Sequence, residues 1–409
     1  MTLCSGFGQT YFVSVFGTAI RTNLNLSHTV YGACYSVGTL SSAVLLIWAG
    51  RIIDRTSLIK FSMAAICGLA FAVALLSEAS SWLSLAFAFF ATRFFGQGLM
   101  VHASMTTMAR EFSAKRGRAV SLASTGHVAG SATLPGIAIA LMAFMSWQNV
   151  WLIASAFLLL VTLPAVLFLV SYANRNKEDV GPQAAVTQAD AHATPSASAE
   201  AAKAEAADPA NWPFAEIVRN PGLYIRLAVL LAPAFIAAGY MFHQAYIVSQ
   251  KGWDLKVIAA ALAAYSIGSF VMTLATGPLV DRFTSNKLIP VTQVPLILSC
   301  LMMTHLQSET GALTSFALLG LSMGMTQVVF GAIWAELYGT AHLGAVRAFT
   351  GSSVVVASGL APGTLGHLMD HGWSVASISL ALAIYCFLAA AISLVVPIPK
   401  RRQPQTSNC

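Results

Sequence analysis

Gly50-Arg51-Ile52-Ile53-Asp54-Arg55 lies between two long apolar runs, and Gly277-Pro278-Leu279-Val280-Asp281-Arg282 lies between two others. Both read Gly-x-x-x-Asp-Arg. From position 54 to position 281 is 227 residues, and the same interval separates Pro135-Gly136 from Pro362-Gly363. One long-range period carried by unrelated residue types marks the chain as two copies of one half.

The runs around these words set the class. Of 409 residues, 57% are hydrophobic and 9% charged, against roughly 25% charged in soluble domains. Many runs approach the ~20 residues that cross ~30 Å of hydrocarbon. They are too long for barrel strands and lack period-2 alternation, so the expected fold is an all-α membrane protein. Twelve spans are predicted: 1–20, 28–50, 61–78, 82–109, 118–141, 149–171, 223–248, 256–278, 288–306, 311–337, 343–369 and 373–396. Six precede the loop at 172–222 and six follow it. The expected organisation is an N-terminal half (1–171), a cytoplasmic linker (172–222), a C-terminal half (223–396) and a cytoplasmic tail (397–409). The linker from Gly181 to Ala210 is rich in Ala and small polar residues and cannot bury a core, so it is read as a disordered tether. A short amphipathic stretch follows, from Trp212 to Val218.

Charge sets the orientation. If the turns after spans 2, 4, 8 and 10, the linker and the C-terminus share one side, that side collects 18 of the 22 Lys and Arg. By the positive-inside rule both termini are cytoplasmic and the membrane is the inner (plasma) membrane. The net charge of +7 then belongs to cytoplasmic loops and not to nucleic-acid binding. The six cysteines show no metal spacing and read as apolar fillers. Span 1 begins at Met1 with no basic flank or cleavage site, so it is not a signal peptide. The favoured reading is that the true start lies upstream.

Asp54 and Asp281 end spans 2 and 8. A carboxylate there can accept backbone N–H groups at the start of a helix in the opposite half, where the dipole favours negative charge. The partners expected are the starts of span 11 for Asp54 and of span 5 for Asp281. Arg110, Glu111, Glu336 and Arg347 lie at the same depth and complete an ionic latch in this reading, with Gly50, Arg55, Gly277 and Arg282.

With two six-helix halves, a long middle loop and Gly-x-x-x-Asp-Arg after spans 2 and 8, the chain resembles the major facilitator superfamily of secondary transporters over its whole length. The family's loop signature continues with Gly and basic residues. Here Ser57-Leu58-Ile59 and Thr284-Ser285-Asn286 replace them, leaving one lysine each, Lys60 and Lys287. Span 4 carries Arg93-Phe94-Phe95-Gly96-Gln97-Gly98, similar to the family's span-4 arginine and small-residue motif. Within the family the chain resembles bacterial oxalate/monocarboxylate porters. The resemblance implies a monomer with a central cavity lined by spans 1, 4, 7 and 10.

Arg93 lies eleven residues into span 4, roughly 16 Å along a helix, near the midplane. A charge there is costly and should be paired or functional. Every acidic residue falls in a loop or at a span end, so one reading makes the missing anion the substrate. The other has Arg93 satisfied by backbone carbonyls. Gln97 and Ser104 continue its helix face. Gln9, His127, Tyr240, His243, Gln244, Gln327 and Trp334 are the other expected lining residues. His243 and His127 are candidate proton carriers, since only histidine titrates near neutral pH. No nucleophile–base pair, phosphate loop or metal site is seen, which argues against an enzyme and against cofactors.

The expected function is transport of a small organic anion, a mono- or dicarboxylate, by alternating access, as uptake with a possible proton symport. Competing readings are efflux of neutral or anionic drug-like compounds, and a transporter-like membrane sensor.

Overall fold

The computed structural model describes residues 1–49, 56–101, 103–104, 116–179, 212–254, 256–306, 308–339 and 342–397. No strand occurs among them. Among the described residues eleven helices are long and apolar enough to cross a membrane, and they match predicted spans 2 to 12. Their ends follow local chemistry. Spans 3, 4, 6, 10 and 12 open on Ser57, Ser81, Ser146, Ser308 and Ser374, each hydroxyl accepting the N–H three residues on. Such caps satisfy a donor that a first helical turn otherwise leaves free.

Span 1 differs from the expected continuous helix. It consists of a 3₁₀ turn (Cys4–Gly8), a helical turn (Thr10–Val13), a second 3₁₀ turn (Ser14–Phe16) and a helix (Gly17–Leu24). The break is at Gln9, which is extended (φ −94°, ψ 153°). Close packing on span 4 accompanies it. A Cβ on Gly8 would strike the Thr92 carbonyl, and one on Gly96 would lie 2.8 Å from the Gly8 Cα. Span 4 itself is an α-helix to Thr92 and a π-helix over Arg93–Met100. A wider turn of this kind is rare and frequent at functional sites. Span 7 is also interrupted, running Pro221–Phe242 and then Gln244–Lys251, with His243 at the joint.

The two halves meet along spans 2 and 11 (His28–Ala49 and Leu343–Asp370) and along spans 5 and 8 (Arg116–Met142 and Val257–Phe283). Gly32 of span 2 packs against the Pro362 carbonyl, and Gly366 of span 11 against the His28 carbonyl, so closely that neither position has room for a Cβ. Small residues let helices approach in this way in lipid. In the other pair Ser131 and Ser266 share a 2.7 Å hydrogen bond, and Gly136 faces Ala259. Both Pro-Gly pairs of the sequence repeat therefore stand at contacts between halves.

These contacts gather toward the end of the molecule that carries Asp370. Toward the end that carries Asp281, Cβ positions at Gly277, Gly331 and Gly351 would meet nothing within 4 Å. At the Asp370 end the halves are in direct contact. The amphipathic stretch forms a short helix, Phe214–Arg219, with Ile217 buried. The Trp212 N–H donates to the Tyr338 carbonyl, which ties this segment to the end of span 10 (Glu309–Tyr338).

Candidate functional site

The break in span 1 frees the Gly8 carbonyl, and the Arg93 guanidinium takes it up with an Nη1 bond of 3.2 Å. The same Nη1 lies 3.5 Å from Thr10 Oγ1, which shares a 2.7 Å bond with the Tyr35 hydroxyl. The Arg93 guanidinium also sits 5.3 Å from the centre of the Tyr35 ring, within cation–π range. Arg93 is only 3% exposed, and its Nε has no hydrogen-bond partner. A buried donor left unmade is expensive, and each case in a native protein asks for an explanation.

Two more such atoms belong to residues that contact the same stretch of span 1. The Tyr11 hydroxyl is buried without a partner. Gln244 of span 7 donates through Nε2 to the Tyr11 carbonyl (3.2 Å) and to Ser14 Oγ (2.8 Å), which bridges the halves. Its Oε1 is left without a partner. His127 of span 5 is half-buried and sets its ring edge-on to Tyr11 at 5.7 Å. Gln9 is buried at the break. Gln9, Arg93, His127 and Gln244 are therefore assembled around residues 8–14, together with Thr10, Tyr11 and Tyr35. The sequence reading passed over these last three. Their signal was available: Tyr31 and Tyr35 are one helical turn apart on span 2, and Thr10 and Tyr11 follow Gln9.

The remaining expected lining residues show no contact with this cluster among the described residues. Tyr240 points within its own half and donates to Ser379 Oγ at 2.7 Å. His243 reaches the Pro362 carbonyl at 2.9 Å. A carbonyl only accepts, so Nε2 carries the proton. Trp334 is fully buried against Phe330 among spans 7, 9 and 10, whereas Gln327, two turns earlier, is exposed. Gln97 is likewise exposed while Arg93 and Ser104 are buried. The Ser104 hydroxyl turns back to the Met100 carbonyl at 2.9 Å.

Of the expected gate residues, Gly50, Asp54, Arg55, Arg110 and Glu111 lie outside the described residues. Asp281 and Arg282 are exposed. Arg347 donates to the Gly331 carbonyl at 2.8 Å. Glu336 accepts the Ser285 N–H (2.9 and 3.1 Å) and hydroxyl (2.6 Å), so it caps span 9 (Ser285–His305) inside its own half. The Ser285-Asn286 pair in place of the family's basic tail thus has work of its own. Asn286 Oδ1 accepts from Arg226 Nε at 2.9 Å.

The sequence matches the Major Facilitator Superfamily model over residues 1–362 and again over 237–408. The chain belongs to the Major Facilitator Superfamily. Among solved structures it is similar to the nucleoside transporter NupG, with a TM-score of 0.72, 12% identity, and coverage of 96% of this chain and 96% of that one. It is also similar to a bacterial homolog of the human lysosomal transporter Spinster in an inward-facing, occupied conformation. There the TM-score is 0.67 and the identity 13%, with 96% of this chain and 94% of that one covered. No curated protein sequence matches the chain. At these identities the likeness to solved structures is one of fold. Membership of the Major Facilitator Superfamily makes this chain a multi-pass membrane transporter and not an enzyme.

Proposed function

We propose that this transporter carries a small organic anion of the mono- or dicarboxylate class, bound where span 1 breaks beside Arg93. The observation that carries the reading is a buried guanidinium with a free Nε in a chain whose carboxylates all lie in loops or at span ends. The Gly8 carbonyl holds one edge of the guanidinium. A carboxylate could take the unused N–H and accept from the Tyr11 hydroxyl. Ionised acceptors make shorter and stronger bonds to guanidinium than neutral ones do.

On the positive-inside rule the Asp281 end faces the cytoplasm and both termini are cytoplasmic, in the inner membrane. Transport follows from rocking of residues 1–171 against 223–396 about a midplane site. His127 stands beside the site and is the better placed of the two histidines to carry a coupled proton. His243 is engaged with Pro362.

The test is uptake by protein reconstituted in liposomes, with and without an inward proton gradient. Labelled mono- and dicarboxylates form one arm. Nucleosides, the cargo named for the similar transporter, form the contrasting arm. Carboxylate uptake that is lost in Arg93→Gln is the expected result. Uptake confined to uncharged solutes, or carboxylate uptake undiminished in Arg93→Gln, contradicts the proposal.

A further inference from the structure

Span 11 ends on Asp370, and span 2 begins on His28 in the opposite half. The two helices run antiparallel, so the end of span 11 lies against the start of span 2. Asp370 Oδ1 accepts the His28 N–H at 3.0 Å, and Oδ2 accepts the Thr29 N–H at 2.6 Å. These are first-turn donors with no partner inside span 2. A carboxylate there meets both the free N–H groups and the positive end of the helix dipole.

We infer that Asp370 is the latch holding the two halves together at this end of the transporter, released each time the site opens to that side. It is the one carboxylate among the described residues seen capping a helix of the opposite half. Glu336 and Glu309 also accept backbone N–H groups, from Ser285 and Asp254, but both stay within the C-terminal half. The sequence repeat supplies no second copy: position 143, the counterpart of Asp370 at the end of span 5, is Ala.

The surroundings favour the anion. Arg21, in the last turn of the helix Gly17–Leu24, lies near Asp370. Burial lowers the Arg21 pKa, and the Asp370 charge opposes that shift. Beneath the latch the contact is close, with Gly366 on the His28 carbonyl and the Ser36 hydroxyl accepting the Gly363 N–H at 3.2 Å. Parting the halves here exposes two donors and one carboxylate together.

The inference rests on relative motion of the halves and not on the substrate class, so its test needs no substrate. Spin labels at Asn23 and Trp373, both exposed, report the distance across the Asp370 end. For labelling, alanine or serine replaces the six native cysteines. A second label pair inside the C-terminal half, at Thr310 and Trp373, reports whether that half stays folded. Asp370→Asn keeps the shape but removes the charge, and Asp370→Ala removes the acceptors as well. The expected result is a fall in the closed-to-open population ratio of roughly tenfold for Asn and more for Ala, as loss of charge-assisted bonds implies. Glu309→Gln, at the same end but bonded within its half, leaves the ratio unchanged. Wild-type distance distributions in both Asp370 variants overturn the latch. So does an equal shift in Glu309→Gln, which would trace the effect to charge at that end in general.

Discussion

Among the described residues two arginines are buried, Arg93 at 3% exposure and Arg226 at 1%, and they are finished differently. Arg226 spends its guanidinium on four acceptors: Asn286 Oδ1 (2.9 Å) and the carbonyls of Gly222 (3.0 Å), Val396 (3.5 Å) and Pro397 (3.1 Å). It ties the start of span 7 to the start of span 9 and to the chain just past span 12 (Val375–Val395). Arg93 has one good acceptor, one marginal contact and an Nε with none. Burial alone does not separate a structural cation from a binding one, and the binding role proposed for Arg93 rests on its unfilled donor.

That contrast can be broken experimentally, and the largest effect belongs to Arg226. Arg226→Met strands the carbonyls it held, at about 1–3 kcal/mol each. The variant should lose more thermal stability in detergent than any other single change named here, with ligand binding by the surviving folded fraction retained. Asn286→Ala removes one of the four bonds and should cost about 1.5 kcal/mol or more, as for bonds to a charged group. The same melting assay reads it, and a result equal to wild type would show that the backbone acceptors suffice. Arg93→Gln releases only the Gly8 carbonyl and should cost about 1 kcal/mol, with its large effect confined to ligand binding. Tyr11→Phe deletes a hydroxyl that has no partner. Its melting temperature should match or slightly exceed that of wild type while carboxylate binding weakens several-fold. A clear loss of stability would mean that the hydroxyl already has a structural bond.

Much of the fold was legible because hydrocarbon thickness fixes a length scale. Eleven of the twelve predicted spans reappear as membrane-length helices, with serine caps visible in the sequence at Ser57, Ser81 and Ser146. The break at Gln9 was not legible. It accompanies the approach of Gly8 to Thr92 and Gly96, more than 80 residues away in the chain. Arg226 looked like one more basic residue near a loop, because two of its acceptors lie 170 residues onward at the far end of the chain. Of the nine lining residues expected, Gln9, Arg93, His127 and Gln244 do converge. Tyr240 and His243 were read as lining because they are polar groups within span 7, and Trp334 because it shares a helix face with Gln327, but all three have partners within the C-terminal half. Asp370 was read only as an acid at a span end. Its role appears once span 2 of the other half is alongside.

The central claim is that the free edge of Arg93 receives a substrate carboxylate. The direct measurement is the dissociation constant of the best-bound small carboxylate, by calorimetry on purified protein, for wild type, Arg93→Gln and Arg226→Met. The account predicts affinity at least roughly 100-fold weaker in Arg93→Gln, about 2.7 kcal/mol, and near-wild-type affinity in folded Arg226→Met. Equal affinity in wild type and Arg93→Gln would contradict it and return Arg93 to the role of a strut for the broken span.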